Sequence, residues 1–169
     1  KNAVDEGVRS DSKDVKVGHS GTFGMGDMAI IAASQGWGKE YTSVPYADGD
    51  SAAITALAAD NHEIDAVVCC PSATLDAQIE AGKLKVLCSF GKGTSYDAPV
   101  VSELEGDYAV DIDFTTWCVV TVPDDTPDEE YNFLVEMFRK GTTNEDWSAD
   151  MAKLYITTAS RCGDEAREY

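Results

Sequence analysis

Residues 15–29, VKVGHSGTFGMGDMA, constrain the fold more than any other stretch of the chain. Val15 and Val17 alternate as strand residues do. Gly18, Gly21, Gly24 and Gly26 then supply the backbone freedom of a tight loop, and the MAIIAASQ run that follows reads as a helix closed by Gly36. The expected bounds are a strand over Val15–Gly18 and a helix over Asp27–Gln35. A strand that enters a glycine-rich loop and leaves as a helix aims free backbone N–H groups, and the positive end of a helix dipole, at one point. The unit is expected to hold an anionic group of a ligand there.

The same alternation continues downstream. A helix is expected over Asn2–Val8, ahead of the first strand. A second strand falls near Tyr41–Pro45 and a helix at Ser51–Ala59, after the turn ADGD (Ala47–Asp50), whose aspartates can cap it. The strand Ala66–Cys70 follows. Pro71 and Ser72 then start a helix to Glu80, with Ser72 as N-cap and Gly82 as stop. Val86–Ser89 reads as a further short strand. This order predicts an α/β fold, a mostly parallel sheet flanked by helices. Ligands bind such sheets at the carboxyl ends of the strands, and two loops there precede helices. The candidate ligand-binding residues are Ser20, Gly21, Thr22, Phe23 and Gly24 in the first loop, and Cys70 and Ser72 in the second.

After residue 90 the pattern changes. Gly91–Pro99 is polar, and Val100–Leu104 is a short apolar-studded turn. Trp117–Val122, WCVVTV, reads as a buried strand. Thr126-Pro127-Asp128-Glu129 has the form of a capping box with proline at the first helical position, launching an amphipathic helix to Lys140 that Gly141 ends. Asn144–Leu154 reads as another helix.

The chain's 169 residues suffice for one domain with a proper core or for a lobe of something larger. No run reaches the roughly 18 apolar residues that span a membrane. The start, KNAVDEGV, has neither an initiator Met nor a signal peptide, which reads as a processed or truncated piece. With 31 acidic against 13 basic residues and a formal net charge of −18, the surface repels phosphates, so nucleic acid is not an expected partner. Five cysteines (Cys69, Cys70, Cys88, Cys118, Cys162) include no CxxC pair and no Cys/His metal spacing. They are expected to be buried free thiols, and neither a metal nor a cofactor is expected.

Several motifs come close and fail. Gly18-His19-Ser20-Gly21-Thr22 is one residue short of the GxSxG nucleophile elbow, since Thr22 crowds a position that needs a small residue. The sole later histidine, His62, lies in a polar turn. A serine hydrolase using Ser20 therefore stands as an alternative reading, beside a ligand-sensing regulatory domain of similar architecture. Gly24-Met25-Gly26-Asp27-Met28-Ala29 fits a dinucleotide fingerprint but starts too far from its strand. Gly21 to Gly26 has phosphate-loop spacing, with Asp27 where a lysine is required. His19 is expected on the surface of the loop. No catalytic constellation emerges.

Taken in order, VGHSGTFG, VPYADGDSAAITALAADNHEIDAVV, PSATLDAQIEAGKLKVL, DAPVVSEL and TTWCVVTVPDDTPDE resemble segments of the substrate-binding proteins of tripartite tricarboxylate transporters. The resemblance runs over nearly the whole chain. It implies a lobe of the periplasmic-binding-protein type (type II), non-enzymatic capture of a small carboxylate-bearing solute, membrane permease subunits as partners, and a place in the periplasm or on the outer surface of a bacterial membrane. It further implies that residues 1–91 form the second lobe of a two-lobed receptor, and that residues 92–169 cross over and return toward the first lobe. Where the family often has Ser and His, this chain has Gly24 and Asp27; its "PYKGG" becomes Pro45-Tyr46-Ala47-Asp48-Gly49, an acid in place of a cation.

Overall fold

A computed structural model describes residues 15–168, apart from 62, 93, 95, 105, 107, 108, 115–117 and 157. The expected helix at 2–8, His62 and Trp117 lie outside the described residues. The chain divides into two units, Lys1–Thr115 and Thr116–Tyr169.

The first unit is built on a parallel three-stranded sheet of order β2-β1-β3, with β1 at Val15–His19, β2 at Tyr41–Pro45 and β3 at Ala66–Val67. The register sets Val17 beside Ser43 and Ala66, and Gly18 beside Val44 and Val67. Helices α1 (Met25–Trp37), α2 (Asp50–Ala58) and α3 (Ala73–Glu80) connect or follow the strands. Alternation along β1 explains the layering. Val15 and Val17 point to one face, where they pack with Ile30 of α1 and with Tyr41, Ala66 and Val68. Gly18 faces the other way, where a Cβ would lie 2.6 Å from Ile64 and 3.5 Å from Ala53 of α2. Ala53 and Ile54 are sealed from water, as is Val101 in a short 3-10 turn at Val101–Glu103.

Several expected boundaries move, for physical reasons. Gly36 does not end α1. It lies inside the helix, and glycine is needed there because a Cβ would lie 2.5 Å from Val110. The stop is Gly38, left-handed at φ 61°, where glycine escapes the Cβ clash. The aspartates of the 47–50 turn do not cap α2: its N-cap is Gly49 at φ 87°, and the Asp50 carboxylate reaches across to another loop. Strand β3 ends at Val67 instead of Cys70. Residues 86–88 form no strand, and the pairing expected there shrinks to one parallel bridge, Ser89 to Val100.

The second unit holds α4 (Asp128–Thr142), α5 (Glu145–Lys153) and α6 (Asp164–Glu168), the last not foreseen from the sequence. The capping box does not form. Thr126 Oγ1 instead donates to the Pro123 carbonyl at 2.7 Å, and α4 begins at Asp128 with three acids in its first turn and Arg139 and Lys140 in its last. It runs through Gly141 to Thr142. Asn144 caps α5 as expected of a helix start, accepting from Trp147 N–H at 3.1 Å. Residues 118–122 are not a strand and are not buried; Val119 and Val120 are 64% and 70% exposed. All five cysteines are free, but none is fully buried, and Cys70 and Cys118 are exposed.

Candidate functional site

Because β1 and β3 are adjacent and parallel, the loops that leave their carboxyl ends open at the same edge of the sheet. These are the two loops that hold all seven candidate residues. Val68 N–H donates to the Gly18 carbonyl at 2.9 Å and Tyr46 N–H to the His19 carbonyl at 2.8 Å, so all three strand ends are tied at this edge.

The first loop is a tight turn. Gly24 N–H donates to the Gly21 carbonyl at 3.2 Å, with Gly21 at φ 147° and Phe23 at φ 59°. The chain then enters α1, whose close approach to the strand ends depends on Gly26: a Cβ there would lie 2.9 Å from His19 and 3.0 Å from the Val68 carbonyl. Ser20, Thr22 and Phe23 are exposed, Phe23 at 82%.

His19 is not on the surface. It is 1% exposed and turned inward beneath the loop, where it joins Ser43 and Asp27. Its Nε2 lies 2.6 Å from Ser43 Oγ, and Ser43 donates to Asp27 Oδ1 at 3.0 Å. Asp27 Oδ2 accepts the Phe23 N–H at 2.8 Å. That backbone bond holds the Asp27 carboxyl below the ordinary carboxylate range; burial opposes it, while the Ser43 hydroxyl and the nearby His19 add to it. Sequence reasoning had missed this network. Its signal is a spacing of eight between His19 and Asp27, which brings the strand end over the first turn of the following helix.

The second loop is held in a parallel way. Asp50 Oδ2 accepts the Cys70 N–H at 2.9 Å, while its Oδ1 is buried with no hydrogen-bond partner among the described residues. Ser72 is the N-cap of α3, accepting from Leu75 N–H at 3.3 Å. Burial pushes the Cys69 thiol up to about 12, with the Asp50 carboxylate acting the same way, and it raises Cys70 as well.

The N–H groups of Gly21, Phe23, Gly24 and Cys70 are thus all engaged inside the protein. Besides any N–H not engaged in this way, the edge offers a ligand a set of hydroxyls. No bond among the described residues engages those of Ser20 and Thr22, and Ser72 keeps its proton to donate while its oxygen caps the helix. Nothing in this arrangement makes Ser20 a nucleophile, since His19 faces away from it. In the His19–Ser43–Asp27 cluster the order differs from that of a triad: Ser43 sits between the other two and donates to the carboxylate, so the imidazole is not placed to take its proton. Among the described residues no three His, Cys, Asp or Glu side chains gather as a metal would need. A groove of about 390 Å³ lined by Ile79, Gly82, Lys85, Tyr96 and Asp97 lies at the other end of α3, away from these loops.

Residues 8–158 match the family model described as the tripartite tricarboxylate transporter family receptor. No curated protein matches. Among solved structures, the chain is similar to a TctC solute binding protein from Polaromonas, crystallised with no ligand, at 22% identity and a TM-score of 0.74. The likeness covers 99% of this chain and 58% of that one, so the chain spans less than two thirds of its solved neighbour, and at this identity it shows the fold.

Proposed function

The chain belongs to the tripartite tricarboxylate transporter receptor family, and on that footing we propose that it is part of an extracytoplasmic solute receptor. The paired loops take one end of a small, carboxylate-bearing ligand through the hydroxyls of Ser20, Thr22 and Ser72, beside the backbone of Gly21, Phe23, Gly24 and Cys70. The loaded receptor then meets membrane permease subunits at the periplasmic or outer face of a bacterial membrane. The observation that carries this reading is the single sheet edge shared by the loops after β1 and β3.

In this reading residues 1–91 are the second lobe of a two-lobed receptor and residues 92–169 return toward the first. The greater length of the Polaromonas protein supports it. So does the row of exposed apolar side chains on α4, Phe133, Met137 and Phe138, which a covering lobe would bury. One cleft wall leaves a ligand solvated on its open side, so binding to this chain alone is weak.

Thermal shifts with succinate and citrate, on this chain and on an amino-terminally extended form, test the reading. The extended form should be stabilised and this chain barely, since stabilisation follows ligand concentration over dissociation constant. Equal shifts would overturn the two-lobe reading. No shift in either form would overturn capture of carboxylates of this kind.

A further inference from the structure

The turn at residues 21–24 contains a non-glycine residue in the left-handed region. Phe23, at φ 59°, occupies the third position of a turn where glycine or asparagine is usual. A bulky side chain in that conformation persists only where the surroundings hold it. What holds it is Asp27, 6% exposed, whose Oδ2 accepts the Phe23 N–H at 2.8 Å.

Asp27 is itself fixed from two other elements. Ser43 of β2 has one proton and gives it to Asp27 Oδ1, so the Ser43 oxygen accepts from His19 Nε2, which carries the hydrogen. With the hydrogen on Nε2, the other ring nitrogen, Nδ1, accepts the Gly21 N–H at 3.3 Å. The cluster therefore grips both ends of one turn, Gly21 through His19 and Phe23 through Asp27, and Ser43 joins the two grips. His19 and Asp27 are buried and Ser43 is exposed, and a polar cluster of this kind is often no more stabilising than apolar packing. Here its side-chain bonds to backbone all land on the loop.

We infer that Asp27, backed by Ser43 and His19, is the positioning residue of the first ligand loop: by accepting the Phe23 N–H it holds the turn that presents the Ser20 and Thr22 hydroxyls and faces the Phe23 ring outward. This rests on the reading of that loop as a ligand site. The positioning itself is measurable with no ligand present.

The test is amide exchange and ¹H–¹⁵N spectra of the full chain and its variants. In Asp27→Ala the Phe23 amide should exchange on the order of 10- to 100-fold faster, the range of a hydrogen bond to a charged acceptor. The amides of Ser20, Thr22 and Gly24 should shift while Val17 and Ile30 keep their protection. Asp27→Asn retains an acceptor oxygen and should lose less. Phe23→Gly alone should leave the loop in place, because glycine adopts a positive φ freely. Combined with Asp27→Ala, it should bring the loop shifts back, which a carboxylate serving only general stability would not allow.

Unchanged Phe23 protection in Asp27→Ala would overturn the inference, as would a loss that Phe23→Gly does not relieve. Should Asp27→Ala fail to fold, Ser43→Ala on the outer strand carries the test: Phe23 protection must fall while Ile30 holds, and no change overturns the inference. Succinate titrated into the wild-type chain and the extended form addresses the ligand reading separately. Absence of loop shifts there would count against the site and leave the exchange result standing on its own.

Discussion

Residues up to 115 and residues 116–169 use similar apolar side chains to opposite effect. In the first unit Ala53, Ile54, Ile64 and Val101 are sealed from water, because strands and helices from distant parts of the sequence close over them. In the second, α4, α5 and α6 contain no buried residue, and Phe133 is 68% exposed. Helix α4 nonetheless carries an amphipathic pattern. Amphipathicity tells a helix which face to bury, and leaves open what will bury it.

The sharpest way to break this comparison is to truncate one residue on each side. Ile54→Ala should cost about 2–5 kcal/mol through lost burial and a cavity. Phe133→Ala should stay within about 0.5 kcal/mol, as for an exposed position. Urea unfolding with regional amide exchange checks both. A large loss at Phe133 would mean that α4 is covered in solution.

The helix caps come next in size. Ser72→Ala and Asn144→Ala each remove a side-chain acceptor at a helix start, and each should cost about 0.5–2 kcal/mol. Ser72→Ala should also weaken succinate or citrate binding by the extended form, whereas Asn144→Ala should not. A stability loss at Ser72 with unaltered affinity in calorimetry would leave capping as its sole role.

Acid should separate the two regions more gently. The Asp27 carboxyl titrates lower when folded than when unfolded, so the stability it contributes is complete above the unfolded carboxylate pKa. That contribution is lost as pH falls through the folded value. The wild-type chain should lose stability below about pH 4, and part of that slope should disappear in Asp27→Asn. An identical slope in the two proteins would remove Asp27 as its source.

The smallest effect expected is in thiol labelling. Burial raises Cys69 to about 12 and Cys88 to about 11, so iodoacetamide near neutral pH should reach exposed Cys118 well before either. Mass spectrometry of a time course would show it. Early labelling of Cys88 would mean that the first unit opens readily around residue 88.

Much of the first unit was legible in the sequence because its signals are local. Strand β2 falls at Tyr41–Pro45 as expected, and α3 starts after Ser72 because a serine oxygen satisfies Leu75 N–H within four residues. The placement of both candidate loops at one edge also followed from the β-α order, since parallel strands must send their connections the same way. Illegible were the features that need a distant partner. Residues 86–88 and 118–122 have strand-like composition, yet a strand exists only where a neighbour pairs with it. Gly36 reads as a stop in the sequence, yet what requires a glycine there is the close approach of Val110.

By itself, then, the sequence determined an α/β chain with two loops rich in small and hydroxyl-bearing residues at the carboxyl edge of a parallel sheet. Tertiary structure alone decided how those loops are held. His19 was expected outside and lies inside, and the N–H groups of Phe23 and Cys70 go to Asp27 and Asp50. The reason is physical: a composition of glycines and hydroxyls specifies which backbone shapes a loop can take. Which donors remain free depends on acceptors that other strands and helices bring to within 3 Å.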